Sequence, residues 1–193
     1  MKKKTLFAIG EWIAVALLIW LCFHENLIPI GGSTPEETHR LSESSFHYGP
    51  SEIVRKVEVP FDKDQVIFLG TYKDWFSADS VYRKRGGWFP GGGVAGVEID
   101  RDKAFSYSWE GNSAGDSQIM YKFYGYVSDD RIATMELLMT EKDTGKPVQM
   151  REEITNDRMF LFLWKIKDGS RDWQAIRGLD KDNKVIYEQT FGT

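Results

Sequence analysis

From residue 52 onward, apolar and polar side chains alternate with period two in short runs. Residues 52–59 set Ile53, Val57 and Val59 on one face and Lys56 and Glu58 on the other. Residues 105–109 place Phe105, Tyr107 and Trp109 opposite Ser106 and Ser108, the pattern of a half-buried strand. Denser runs at 65–72, 119–127, 132–140, 147–153, 159–167, 173–179 and 184–189 predict further strands. Turn formers lie between them at Gly111-Asn112, Asp129-Asp130, Asp143 to Gly145, Asp168-Gly169 and Asp182-Asn183. Met159 to Trp164 is apolar at every position, as expected of a central strand covered on both sides. A helical period can be drawn through 131–139, but the strands around it favour a hairpin arm. The expected fold is all-β, an antiparallel sandwich or strongly curled sheet over 52–193. A division between Val127 and Asp130 is conceivable, and one domain is the simpler count.

The first fifty residues follow other rules. Lys2, Lys3 and Lys4 precede a continuous apolar run at 6–23, about 27 Å as a helix and close to a hydrocarbon core of about 30 Å. Three cations before the run and none directly after it predict a cytoplasmic tail at 1–5, a single-pass transmembrane signal-anchor at 6–24, and the remainder outside the cell membrane. Glu11 is the exception inside that run, near enough to the lysines to reach toward them. Competing processing is weaker. Bulky Trp20 and Leu21 before Cys22 do not make a lipidation site, and cleavage after Gly32 leaves Ile30 where a small residue is wanted. Residues 25–51 read as a juxtamembrane linker. Within it, Thr34, Pro35 and Glu37 are the cap, first position and third position of a short helix to about Glu43.

Composition narrows the function classes. The chain of 193 residues has 41% hydrophobic residues, enough for one core, and 28% charged. A formal net charge of −4, more negative still once the N-terminal lysines are set aside, argues against a general nucleic-acid binder. Cys22 is the single cysteine, so neither an intradomain disulfide nor a cysteine-ligated metal is available.

The most unusual stretch is 73–96, where Trp75, Phe76, Tyr82, Trp88 and Phe89 are interleaved with Lys73, Arg83, Lys84 and Arg85 before a glycine run. Aromatic faces beside cationic groups suit a polyanion, a glycan or lipid headgroups. Trp75, Phe76, Tyr82, Arg83, Lys84, Arg85, Trp88 and Phe89 are therefore the ligand-binding candidates of a loop. The alternative is a connection whose rings pack over a sheet end. The glycines do not form a phosphate loop, since Val94-Ala95 follows Gly93 where Lys-Ser or Lys-Thr belongs.

Glu98, Asp100 and Asp102 would share a strand face, though 100–103 and 180–183 read more easily as turns than as calcium loops. His24, His39 and His47 all precede the strands and read as surface histidines. Gly111 to Gly115 matches Gly-x-Ser-x-Gly around Ser113, but a strand rather than a helix is expected next, and every histidine comes earlier. No cofactor is implied, no metal site is named and no residue is assigned a catalytic role. The expected function is a membrane-anchored extracytoplasmic binding or interaction module, its partner an envelope polyanion, glycan or membrane protein. The alternative is an envelope hydrolase using carboxylates such as Glu98, Asp100 or Glu110. A third possibility is a purely structural partner, docking through the short helix or an open sheet edge.

Overall fold

The computed structural model describes residues 3–23, 31–84, 86–114, 118–165 and 170–192, with side chains at 9–20 of the first segment and in the others except 112–114 and 118–119. Two helices, α1 (Lys3–Phe23) and α2 (Pro35–Ser45), precede twelve strands among these residues. The strands are β1 (Glu52–Val59), β2 (Asp62–Tyr72), β3 (Trp75–Lys84), β4 (Gly87–Pro90), β5 (Val97–Glu98) and β6 (Phe105–Ala114). They continue as β7 (Gln118–Val127), β8 (Thr134–Glu141), β9 (Pro147–Glu153), β10 (Met159–Lys165), β11 (Arg171–Leu179) and β12 (Val185–Thr190). All pairings are antiparallel and make three sheets: β1-β2-β3-β4 with β5 also on β3, β10-β7-β6, and β12-β11-β8-β9. The structure is mostly β. Because β10 pairs with β7, the second sheet draws strands from both sides of residues 127–130.

The sheets stack as layers, with β10-β7-β6 in the middle. Alternation along β10 shows why: Met159, Leu161 and Leu163 pack with Ile67, Leu69 and Phe76 of the first sheet. Phe160, Phe162 and Trp164 pack with Met135, Leu137 and Ile176 of the third. Every second side chain thus enters a different core, which is why this run has no polar face. In β6, Phe105 and Tyr107 join the core with the third sheet, while Ser106 and Ser108 belong to the opposite face.

Several expectations change. Ile53 is exposed and Val54 is in the core, because the register between β1 and β2 slips at 53–55. One extra residue in a bulge reverses the phase of everything before it. The slip also directs Arg55 to Asp157, with Nε and Nη2 at 2.7 and 3.0 Å from its two carboxylate oxygens, and to Glu152 at 2.5 Å. Residues 73–90, expected as a loop, are mostly the paired strands β3 and β4. The chain around α2, expected as a linker, packs on the outer face of the first sheet. Thr38, His39, Ser42 and Glu43 are buried there, and Thr34 Oγ1 caps the helix by accepting from Glu37 N at 3.1 Å.

In α1, side chains 9–20 are exposed on all sides, including Trp12, Ile13, Leu17, Leu18 and Ile19. Among the described residues, no helix is long and apolar enough to cross a membrane.

Candidate functional site: an aromatic pocket beside α2

The eight binding candidates do not gather at one place. Trp75 opens β3 and is 42% exposed, whereas Phe76 beside it is fully buried between the first and second sheets. Tyr82, Arg83, Lys84, Trp88 and Phe89 lie at the other end of β3 and in β4, with Tyr82 opposite Phe89 and Arg83 opposite Trp88. The Tyr82 and Phe89 rings are 6.1 Å apart, and Trp88 packs on Val66, Phe68 and Val81. Arg83 and Lys84 are exposed; Arg85 lies outside the described residues. Seven residues of strand, about 23 Å, separate Trp75 from Tyr82.

At the Trp75 end, three pieces of chain converge: the C-terminal end of α2, the β2–β3 turn, and the segment before β5. Phe46, His47, Tyr48, Tyr72, Lys73, Trp75 and residues 94–96 line a pocket of about 410 Å³. Tyr48 and Tyr72 meet edge to face at 5.7 Å, and the Lys73 ammonium sits 4.8 Å from the Tyr72 ring centre. Phe46, at 57% exposure, offers its ring to solvent beside Trp75. The backbone is shaped to admit these rings. A Cβ on Gly93 would lie 2.1 Å from the Phe46 ring, and one on Gly96 would lie 2.3 Å from the Tyr48 ring.

Two wall residues hold unusual backbone. His47, just beyond α2, and Lys73, in the two-residue turn that joins Tyr72 to Trp75, have φ of 54° and 56°. Both places ordinarily take glycine or asparagine, and an L-residue there costs about 1–2 kcal/mol. Keeping a basic side chain at each puts an imidazole and an ammonium on the rim of an aromatic pocket. Outliers of this kind cluster where function constrains the chain.

Carboxylates are placed otherwise. Glu98 is exposed in β5, with its backbone opposite Trp75. Asp100 begins a turn, accepting from Asp102 N at 3.1 Å; its hydrogen bond to Lys103 holds the carboxyl below its ordinary range. Glu110 lies 2.9 Å from the buried Lys122 ammonium. None of the three lines the aromatic pocket. Asp180 likewise closes a turn, accepting from Asp182 N and Lys184 N, each at 2.9 Å. The backbone at Ser113 runs as strand β6 paired with β7, so the described chain offers no helix after it.

Two buried polar clusters escaped the sequence reading. His39 Nδ1 is 2.7 Å from Asp79 Oδ2, and its Nε2 is 3.4 Å from both Glu43 Oε1 and Ser51 Oγ. An aspartate, a histidine and a serine in line suggest a nucleophile relay. Here, however, Glu43 shares Nε2 with the serine, Ser51 N donates to that same carboxylate at 3.0 Å, and the ring is 1% exposed against Phe68 at 4.8 Å. The arrangement pins α2 to β3. The second cluster is Lys122, 1% exposed between sheets, which donates to Ala78 O and to Ser80 Oγ at 2.9 Å. Burial pushes its ammonium pKa down, against the pull of Glu110.

Among the described residues, no three His, Cys, Asp or Glu side chains are grouped to hold a metal ion. The pocket offers ring faces for a flat apolar surface and one ammonium for a negative charge. Comparison with protein-family models, with curated proteins and with solved structures finds no match for this chain.

Proposed function

We propose that this protein is a membrane-tethered extracytoplasmic binding module whose ligand seats in the aromatic pocket beside α2. The tether is the whole apolar run of the sequence at 6–24, which extends beyond the residues 9–20 whose side chains are described, inserted with Lys2, Lys3 and Lys4 on the cytoplasmic side. The supporting facts are the three lysines and a helix on which Trp12, Ile13, Leu17 and Leu18 are each more than half exposed. The observation that carries the binding function is the pocket itself, where Lys73 occupies a left-handed turn position over Tyr72 and beside the exposed faces of Trp75 and Phe46. Stacking on rings with one adjacent cation fits a saccharide bearing a carboxylate or phosphate. No bond is made or broken.

The test is titration of the full-length protein, in membrane-mimetic discs, with acidic and neutral oligosaccharides. Acidic ones should bind, and Trp75→Ala and Lys73→Gln should each weaken binding about tenfold or more. Equal binding by both variants and the native protein would falsify the pocket assignment. Protease added outside intact cells should remove residues beyond 31; protection there would remove the topology. The carboxylate hydrolase is the less supported reading, since Asp100 and Glu110 are engaged by Lys103 and Lys122.

A further inference from the structure

The chain leaves the proposed tether at a particular corner of the fold. Gly32 N donates to Trp88 O and Trp88 N to Gly32 O, both at 2.9 Å, so residue 32 is bridged to β4. Thr38 Oγ1 also donates to Trp88 O at 3.1 Å. Arg83 is the register partner of Trp88 on the far side, and Lys84 is the partner of Gly87. Two strand spacings, about 10 Å, therefore separate Arg83 from the entry point of the tether. Between Phe23, the last residue of α1, and Gly31 there are seven residues, which span at most about 28 Å. Any membrane that holds α1 thus lies within a short reach of the β3–β4 hairpin. Arg83 and Lys84 are exposed there and make no ion pair with a described residue, next to the Tyr82 and Phe89 rings.

We infer that the tip of the β3–β4 hairpin, through Arg83 and Lys84 with Tyr82 and Phe89 behind them, rests on the anionic lipid headgroups of the bilayer that holds α1. The inference rests on the tethered reading above and adds a second contact to it. Two cations alone would not hold a free domain on a membrane, since each raises occupancy only about fivefold. A tether makes the contact intramolecular, at an effective concentration in the millimolar range, where that gain is sufficient. Rings of intermediate polarity behind the cations suit the boundary between headgroups and acyl chains. The orientation has a consequence. With the Tyr82 end of β3 toward the lipid, the Trp75 end points away, and the aromatic pocket opens toward whatever lies outside the membrane.

The experiment uses full-length protein in lipid discs of phosphatidylcholine alone, or with about 30% phosphatidylglycerol, each doped with a gadolinium-headgroup lipid. Paramagnetic broadening of backbone amide signals is read at Arg83 and Lys84, with Lys73 and Thr144 as controls. The expected result is broadening at Arg83 and Lys84, several-fold greater with phosphatidylglycerol, absent from the controls and lost in Arg83→Gln/Lys84→Gln. Equal broadening in both lipids, none at the hairpin, or retention in the double variant overturns the contact. Alkaline carbonate extraction of vesicle-bound protein separates the two claims. Retention in the membrane without hairpin broadening leaves the tether and removes the contact; release into the supernatant removes both.

Discussion

His39 and Asp79 lie forty positions apart in sequence, yet their side chains meet at 2.7 Å with almost no solvent exposure. The contact joins α2 to β3 and so positions Phe46, His47 and Tyr48 against Trp75. Its loss should reach the pocket through the fold. Asp79→Ala leaves the buried Nδ1 of His39 without its partner and should destabilise the protein by about 1–3 kcal/mol. Urea denaturation followed by tryptophan fluorescence checks this. A loss below about 1 kcal/mol would show that α2 is not pinned there.

Lys122 makes a second such prediction, with unequal outcomes for two variants. Lys122→Ala strands Glu110 and opens a void between sheets, costing about 3–5 kcal/mol. Lys122→Met with Glu110→Gln keeps the volume and removes both charges, and should cost clearly less, since only the bonds to Ala78 O and Ser80 Oγ are then lost. Denaturation midpoints of the two proteins at one pH decide it; equal losses in both would contradict the reading of Lys122 as a costly buried charge.

These two clusters mark the limit of what the sequence disclosed. The double-faced apolar run of β10, the alternation in β6 and the Thr34 cap were legible because each depends on local spacing. β3 was not. Its positions facing α2 are Ser77 and Asp79, polar residues that look like loop chemistry until His39 and Ser42 arrive from the helix to accompany them. The same pairing hid His39, which looked superficial because its acid is forty residues away. Conversely, the mixture of aromatic and basic residues at 75–89 read as one site, whereas a straight strand holds its two ends apart. Trp75 instead lines a pocket with Tyr48 and Tyr72, neither of which stood out in sequence.

Asp129 gives a pH dependence. Its carboxyl, bonded by the Arg131 side chain and by Arg131 N, is held down at about 2. A depressed folded-state value means that stability is present above the unfolded value, near 4, and is lost as pH falls through 2. Because the partner Arg131 is 77% exposed and the pair is screened by solvent, the contribution is under about 1 kcal/mol. Asp129→Asn should therefore be slightly less stable than the native protein at pH 5, with the gap closing toward pH 2. A gap that widens on acidification would contradict this sign.

Lys73 should show a conflict between stability and binding. Lys73→Gly relieves a left-handed side chain and should leave the fold equal in stability or up to about 1 kcal/mol more stable. It also removes the pocket's ammonium, so affinity for acidic saccharides should fall. Thermal denaturation and titration of the same sample measure both; a less stable protein with unchanged affinity would mean that the turn, and not the ligand, requires lysine.

Gly96→Ala should narrow the pocket, because its Cβ would overlap the Tyr48 ring. Displacement of that ring should weaken binding more than it weakens the fold. Comparing dissociation constants with denaturation midpoints checks this, and an unaltered dissociation constant would place the ligand elsewhere.

The most direct measurement observes the indole N–H signals of the seven tryptophans while an acidic oligosaccharide is added to the full-length protein in discs. Partly or largely exposed indole rings stand at three separate places: Trp75 in the pocket, Trp88 in the β3–β4 hairpin, and Trp109 of β6 against Trp173 of β11. A saturating shift of Trp75, with Trp88 and Trp109 unmoved, is the predicted result. A shift at Trp88 or Trp109 with Trp75 unmoved would contradict the central claim.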